Sequence, residues 1–281
     1  MSLTIEDIFD NITDSAFSPG IAVKILRMFQ ENEDLSSYDL AKTISYDPQL
    51  TAYILKIANS AYYNMSKQIK VLSDAVTIMG VDEIKKIVIM NSVKSVFGNS
   101  DIYDKLLWRH SLGVAVAASE LNSIIKLTDE ALAYTMGLLH DIGKSIMKSV
   151  KKLNYLSLIK NSYENSLTYF KEELKLYGYT HADVGSRLLE KWNINQEIVD
   201  AVAFHHIDFS KNRKSFLNNA ALVNIADYFV NAMGIGVKEP VINLQEVNNL
   251  PSASLLGFYA NDPDALAAKI YKKILLLEQE I

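Results

Sequence analysis

The amino-acid sequence predicts an all-α fold, on three observations. Helix start signals recur along the chain, each a capping residue followed by proline or by early acidic residues. Apolar residues between these signals follow a helical period instead of strict alternation, as at Leu50, Ile54 and Ile57. Only 11 glycines and 5 prolines punctuate the 281 residues, too few for the turns of an all-β chain. We therefore expect roughly a dozen helices packed in bundles.

The start signals and breaks divide the chain into three parts. The predicted helix starts are Ser18 with Pro19, Asp47 with Pro48, Thr128 with Asp129 and Glu130, and Asp262 with Pro263. The run from Gly98 to Asp104 separates two helical blocks, and every histidine follows it. Prolines and asparagines interrupt residues 236–261, which predicts a loop or short turns before an amphipathic closing helix that ends near Ile281. The expected units are an N-terminal helical part (1–100), a helical bundle (101–235) and an irregular segment with the closing helix (236–281).

Composition and charge exclude several classes of function. The chain has no cysteine, so any metal must be held by nitrogen and oxygen ligands. A formal net charge of −5 without a long basic run argues against a duplex-DNA binder. Lys85 and Lys86 share a helix with Lys94, but Asp82 and Glu83 dilute their charge. No apolar stretch approaches a membrane span, and the first ten residues lack the regions of a signal peptide, so we expect a cytoplasmic protein.

The spacing of the histidines indicates a shared site. The chain has five, separated by 30, 41, 24 and 1 residues, so that they fall on different predicted helices or helix ends: His110, His140, His181, His205 and His206. A helical bundle can direct such groups into one cleft. Taken singly, each has an ordinary explanation, such as a hydrogen-bonded ring at the edge of the core or an exposed helix end. Taken together, their placement favours the shared site.

Two carboxylates add to this pattern. Asp141 directly follows His140, and such a pair can offer one metal a neutral nitrogen and a second metal a shared oxygen. Asp227 lies within the apolar run from Ala220 to Phe229. A carboxylate there must face water or be paired with a cation, because burying it alone is costly. A metal ion is one such cation, and a solvent-facing position on a half-exposed helix is the alternative.

The order His110, His140 with Asp141, then Asp227 resembles the H, HD, D pattern of the HD superfamily of metal-dependent phosphohydrolases. His181 and the doublet His205 and His206 resemble the fuller ligand set of the two-metal HD-GYP branch. The residues after the doublet contain no Gly-Tyr-Pro run, so the resemblance does not extend to cyclic di-GMP as substrate. Leu106 stands where three-metal relatives carry Glu, which implies two metals at most.

Motifs in the first hundred residues resemble the HDOD domain, or HD-related output domain. They are Phe17 with Ser18 and Pro19, the Asp47 and Pro48 helix start, the block from Ala58 to Tyr63, and the run from Ser73 to Gly80. Together with Trp108, Arg109 and His110 and the region of Trp192, these motifs cover nearly the whole chain as one HDOD unit. The resemblance implies an N-terminal helical subdomain packed on an HD-type bundle, in a bacterial signal-transduction protein.

The same resemblance implies a ligand arrangement. One ion would be held by His110, His140, Asp141 and Asp227. Asp141 would bridge to a second ion, held by His181 and by one or both of His205 and His206. Lys144, about one turn after Asp141, would hold phosphoryl oxygens as a point charge, unless it is an ordinary surface lysine. The two ions would be divalent transition metals, with iron or manganese favoured and zinc, nickel or cobalt also compatible.

Two functions fit these expectations. In the first, the site hydrolyses a phosphodiester or nucleotide, with Asp141 and Lys144 in the catalytic machinery and a phosphate-containing small molecule as substrate. In the second, the chain is a non-catalytic regulatory module that binds a signalling protein, and its metal centre is structural or vestigial. The N-terminal block favours the second, because it contributes no obvious catalytic group.

Overall fold

Helices form the regular structure of the computed structural model, which describes residues 4–10, 36–60, 63, 68–98, 101–150, 154–165, 169–212, 214–236 and 242–280. These ranges contain no β-strand, so the all-α prediction is confirmed. The helices are α1 (Ile5–Asp10), α2 (Ser37–Ser45), α3 (Pro48–Ala58), α4 (Leu72–Met79), α5 (Val81–Phe97), α6 (Ile102–Ile125), α7 (Glu130–Leu139), α8 (Ile142–Ser149), α9 (Tyr155–Asn165), α10 (Tyr169–Tyr177), α11 (His181–Lys191), α12 (Gln196–Phe204), α13 (Asn218–Ala232), α14 (Pro251–Leu256) and α15 (Pro263–Glu280). They outnumber the dozen we expected because several are only six to nine residues long.

Three of the predicted helix starts lie within the described residues, and each is present. Asp47 accepts a hydrogen bond from the backbone N–H of Leu50 at the start of α3. Asp129 caps α7 by accepting from the N–H of Leu132, and Asp262 accepts from the N–H of Ala265 at the start of α15. The predicted start at Ser18 and Pro19 lies outside the described residues, as do Phe17, Ala61 and Tyr62 of the HDOD motifs.

The first helices enclose a core of their own. Side chains from α2 to α5 form it, including Leu40, Ile54 and Val76, each with no exposed surface. On α5, Ile84 and Val88 belong to this N-terminal core, whereas Ile89 and Phe97 belong to the larger core that follows. Helix α5 is therefore shared between the two cores. The domain boundaries expected from the sequence remain a prediction.

Helix α6 forms the centre of the larger core. It is 24 residues long, and every residue from His110 to Asn122 is buried, most of them small or apolar. Asp101 caps its start, and Lys126 ends it in the left-handed backbone region at φ 56°. Helices α7, α13 and α15 pack against α6, and α11 packs against both α8 and α12. The ring of His140, after α7, lies 5.3 Å from the ring of His110 on α6 and 5.2 Å from the ring of His205, after α12.

The C-terminal segment contains short helical turns, as expected. A 3-10 helix at Leu244–Asn249 and the six-residue helix α14 precede α15, and Pro251 occupies the first turn of α14. Within the described part of the chain, no helix is both long enough and apolar enough to cross a membrane.

Candidate metal centre

The structure brings all seven histidine and aspartate candidates together. Five lie at helix ends: His140 and Asp141 between α7 and α8, His181 at the start of α11, and His205 and His206 after α12. The other two lie within helices, His110 on α6 and Asp227 on α13. Their potential ligand atoms fall into two groups, and within each group these atoms lie within 4.8 Å of one another.

The first group joins His110, His140 and Asp227. The Nε2 atom of His110 lies 3.0 Å from Oδ1 of Asp227, and Nε2 of His140 lies 4.0 Å from the same oxygen. Asn231, one turn later on α13, donates to this oxygen at 2.7 Å. Asp227 therefore faces histidine rings, which removes the solvent-facing alternative left open by its sequence.

The second group joins Asp141, His181, His205 and His206. The Nε2 atom of His181 lies 3.4 Å from Nε2 of His205 and 3.2 Å from Nε2 of His206. His181 and His205 have no exposed surface. Three imidazole nitrogens thus point at one small buried region.

Asp141 lies between the two groups. Its Oδ2 atom is 3.3 Å from Nε2 of His140 and 3.6 Å from Nε2 of His110. Its other oxygen, Oδ1, is 3.1 Å from Nε2 of His181 and 3.9 Å from Nε2 of His205. Each carboxylate oxygen therefore faces a different pair of histidines.

Backbone carbonyl groups orient three of the rings. The Nδ1 atom of His110 lies 3.0 Å from the carbonyl oxygen of Ile235, and those of His140 and His205 lie 2.7 Å from carbonyl oxygens three residues earlier in the chain. A carbonyl can only accept, so each Nδ1 donates to it, and Nε2 is the ring nitrogen that can bind a metal ion once it is unprotonated. The second ring nitrogen of a metal-binding histidine is commonly oriented in this way.

His181 is oriented by a carboxylate that the sequence did not single out. Glu173 on α10 accepts from Nδ1 of His181 at 2.7 Å and from its backbone N–H at 2.9 Å. The hydroxyl group of Tyr155 also donates to Glu173. In the sequence, Glu173 lies among Lys171, Glu172 and other polar residues of an ordinary amphipathic helix, so no local signal distinguishes it.

The buried histidines differ in charge. Burial, reinforced by the nearby His140 ring, lowers the pKa of His205 to about 3. Burial also holds the pKa of His206 well below its usual range. Burial acts in the same direction on His181, but the carboxylate of Glu173 outweighs it and raises the pKa of His181 to about 9. His205 and His206 are therefore neutral at neutral pH, whereas His181 carries a proton.

Both aspartates are ionised. Burial opposes ionisation of Asp141, but the adjacent His140 ring and the charge of Lys144 outweigh it and hold its pKa well below the usual range. Burial likewise opposes ionisation of Asp227, and the hydrogen bond with His110 outweighs it, lowering the pKa to about 2. The centre thus contains two negative charges among nitrogen donors.

Lys144 is buried at the same site, not at the surface. Its Nζ atom lies 2.6 Å from Oδ2 of Asp141 and 4.2 Å from the centre of the Tyr169 ring. Burial disfavours its cation, but Asp141 outweighs this and raises the pKa of Lys144. The alternative of an ordinary surface lysine is therefore wrong, because only 6% of Lys144 is exposed.

Two glycines let α8 approach α11 closely. A Cβ atom on Gly143 would lie 1.9 Å from the backbone oxygen of His181, far inside contact distance. A Cβ atom on Gly185 would lie 3.3 Å from the backbone nitrogen of Gly143. Gly143, the second residue after the His-Asp pair, thus allows Asp141 to reach His181.

The residues present fit divalent metal ions. Two of their atoms, Nε2 of His140 and Oδ1 of Asp141, are buried without a hydrogen-bond partner among the described residues. A buried polar atom without a partner costs folding free energy, unless a metal ion or another group binds it. The donors are imidazole nitrogens and carboxylate oxygens, which suit first-row transition metals such as iron, manganese and zinc.

A family comparison identifies the fold. The profile of the HDOD domain matches residues 16–207, more than half of the chain. The chain belongs to the HDOD family. An uncharacterised protein of Treponema pallidum (strain Nichols) is 28% identical over 203 residues, which are 71% of this chain and 39% of that protein. Ribonuclease Y of Aster yellows witches'-broom phytoplasma (strain AYWB) is 32% identical over 141 residues, 50% of this chain and 21% of that protein. The chain thus spans less than half the length of either curated relative.

Solved structures share the architecture of this HDOD chain. An HDOD domain protein of unknown function from Geobacter sulfurreducens superposes with a TM-score of 0.82 at 23% identity, covering 99% of this chain and 97% of that one. A candidate phosphohydrolase from Shewanella amazonensis SB2B superposes with a TM-score of 0.74 at 22% identity, covering 99% and 98%. At these identities the likeness establishes the fold alone, and it extends over both the N-terminal helices and the bundle.

Proposed function

We propose that this HDOD protein binds two divalent transition-metal ions and hydrolyses a phosphodiester or nucleotide as part of a signalling role. The observation that carries the proposal is the position of Asp141, whose two oxygens face two separate groups of histidines. A structural metal needs only about four protein ligands, whereas seven candidates converge here. The proposed ligands are those expected above: His110, His140, Asp141 and Asp227 for one ion, and Asp141, His181 and one or both of His205 and His206 for the other.

The residues of the chain would have different roles at this site. When bound, a pair of divalent ions activates water and neutralises the charge that develops on a phosphate. The neutral rings of His205 and His206 can donate lone pairs without first losing a proton. Lys144 can place its ammonium group against a phosphoryl oxygen if it turns from Asp141, and the ring of Tyr169 lies beside it. Burial of the surrounding side chains keeps bulk water from screening these charges.

Metal loading and a generic phosphodiester provide the test. The full chain, purified without added metal and reconstituted with manganese or iron, should release nitrophenol weakly from bis-para-nitrophenyl phosphate. Cyclic di-GMP should be a poor substrate, and a short RNA belongs in the same assay because two curated relatives are ribonucleases. The Asp141→Ala variant is the control. If the loaded protein releases no more nitrophenol than this variant does, the enzyme proposal is wrong.

The second candidate is a non-catalytic module whose metal centre stabilises the fold while another surface binds a signalling protein. Burial of the site favours it, because Asp141 is 1% exposed and Lys144 is ion-paired with it. A substrate would have to displace that ion pair. Metal binding without turnover on any phosphodiester in the assay, together with a higher melting temperature of the loaded protein, would select this function.

A further inference from the structure

The support of His181 differs from that of the other oriented histidines. Carbonyl oxygens accept from Nδ1 of His110, His140 and His205, whereas a carboxylate accepts from Nδ1 of His181. That carboxylate belongs to Glu173, which is fully buried. An anion is a costly choice for this position, because a buried carboxylate must find a hydrogen-bond donor for each oxygen.

Glu173 has those donors. Its Oε2 atom accepts from both the backbone N–H and Nδ1 of His181, and its Oε1 atom accepts from the Tyr155 hydroxyl group and lies 2.9 Å from the same Nδ1. Two of these donors belong to one residue, so Glu173 fixes both the backbone position and the ring of His181. The ring then has one orientation, with Nε2 directed at Oδ1 of Asp141, 3.1 Å away.

We propose that Glu173 is a positioning residue for the second metal ion, acting through His181. The inference rests on the metal centre proposed above. An anionic acceptor on Nδ1 holds the proton there and makes Nε2 a stronger donor than a neutral carbonyl would. It also links helix α10 to the metal centre, since α10 carries both Glu173 and Tyr169. Such partners typically change metal affinity by about 10- to 100-fold when they are removed.

Two variants of the same buried cluster separate positioning from packing. In Glu173→Gln, the amide oxygen can still accept from both groups of His181 while the amide nitrogen donates to Tyr155, so the negative charge is lost together with the longer contact between Nδ1 and Oε1. In Tyr155→Phe, Glu173 loses one donor but keeps both contacts with His181. Each variant is the full chain, and each changes one polar group of the same buried cluster.

The measurement is a titration with Mn²⁺ or Zn²⁺ against a competing chelator that resolves both binding steps. Glu173→Gln should weaken one step by about 10- to 100-fold and leave the other within about 3-fold of wild type. Tyr155→Phe should leave both steps within about 3-fold. If both variants lose thermal stability but keep the metal affinities of the wild type, Glu173 is only a packing residue and the inference is wrong.

The failures of the two proposals are distinguishable. A wild-type protein that binds no ion overturns the metal centre and this inference with it. A wild type and a Glu173→Gln variant that bind two ions equally well overturn only the role of Glu173. If Glu173→Gln does not fold, nitrogen NMR of zinc-loaded wild type with labelled histidine decides. A proton on Nδ1 of His181, assigned with His181→Gln, supports the inference, and its absence overturns it.

Discussion

Oδ1 of Asp141 lies 3.1 Å from Nε2 of His181, across the contact between α8 and α11. The two residues are 40 positions apart in the chain, and glycine at position 143 is what permits the approach. Oδ2 of the same aspartate faces His140 and His110 on the other side. One carboxylate therefore connects the two halves of the proposed centre.

Removal of this carboxylate should empty both metal positions. We expect Asp141→Ala to bind little metal, whereas His206→Ala should lose mainly one of the two ions, because only Asp141 reaches both groups. Elemental analysis of purified, reconstituted proteins gives the number of ions per chain. Equal losses in the two variants would show that Asp141 is not a bridge.

Replacement of Gly143 should destabilise the fold. In Gly143→Ala, the new methyl group would meet the backbone oxygen of His181 at 1.9 Å, so α8 and α11 must separate. We expect a loss of about 1–3 kcal/mol in the free energy of unfolding, measured with urea. Gly113→Ala is the matched control, because its methyl group meets the side chain of Val230 at 3.1 Å and the change favours helix. A similar loss in both variants would contradict the contact argument.

Metal affinity should rise with pH. The pKa of His181 is about 9 in the metal-free protein, so an ion that binds its Nε2 at pH 7 must displace a proton. We expect the affinity of that step to increase by up to about tenfold per pH unit from 7 towards 9, and to level off above it. Chelator competition across this range measures the slope, and a flat profile would exclude His181 as a ligand.

Deprotonation of His181 should lower the stability of the protein without bound metal, whereas it raises the metal affinity. The pKa of His181 rises from 6.5 to about 9 on folding, so its ion pair with Glu173 contributes fully below pH 6.5. That contribution should be lost as the pH rises through 9. Urea unfolding of chelator-treated protein at pH 7 and pH 9.5 measures it. The same comparison in Glu173→Gln should show a smaller change.

Loss of Lys144 should reduce turnover more than metal binding. In Lys144→Met the ammonium group is lost while the stem is retained, so the two groups of metal ligands stay in place. We expect two ions per chain and hydrolysis of bis-para-nitrophenyl phosphate reduced by about 100-fold. A parallel loss of metal would mean that Lys144 acts by fixing Asp141, not by contacting substrate.

Proteolysis tests the expected division near residue 100. Because Ile84 and Val88 of α5 belong to the N-terminal core while Ile89 and Phe97 belong to the larger one, neither core is complete without α5. Limited proteolysis should therefore not release two folded halves. Two stable fragments, each with a cooperative melting transition, would contradict this.

Much of the fold and the site could be predicted from the sequence, for physical reasons. Helix caps are local, so Asp47, Asp129 and Asp262 could be identified from their neighbours. The seven candidate ligands could be found because histidines are few in this chain and an aspartate in an apolar helix is conspicuous. The number of helices was underestimated, because several short helices carry no proline or clear cap.

What the sequence did not reveal depends on contacts between distant elements. Glu173 meets His181 only because α10 packs beside the start of α11, and nothing in the sequence of α10 marks one glutamate over the next. The burial of Lys144 against Tyr169 is likewise a product of tertiary packing. The local sequence determines which residue types each helix carries, and tertiary packing determines which of them come into contact.

The crowding of His181, His205 and His206 represents a trade-off between stability and function. Burial keeps His205 and His206 neutral, and their Nε2 atoms lie 3.4 and 3.2 Å from that of His181. These ring nitrogens therefore lie close together with too few protons to form a hydrogen bond between each pair. Apolar side chains of similar size would pack there at lower free energy in the empty protein. A lineage released from selection for this centre would therefore gain stability by losing it, and its histidines would be among the first residues to drift.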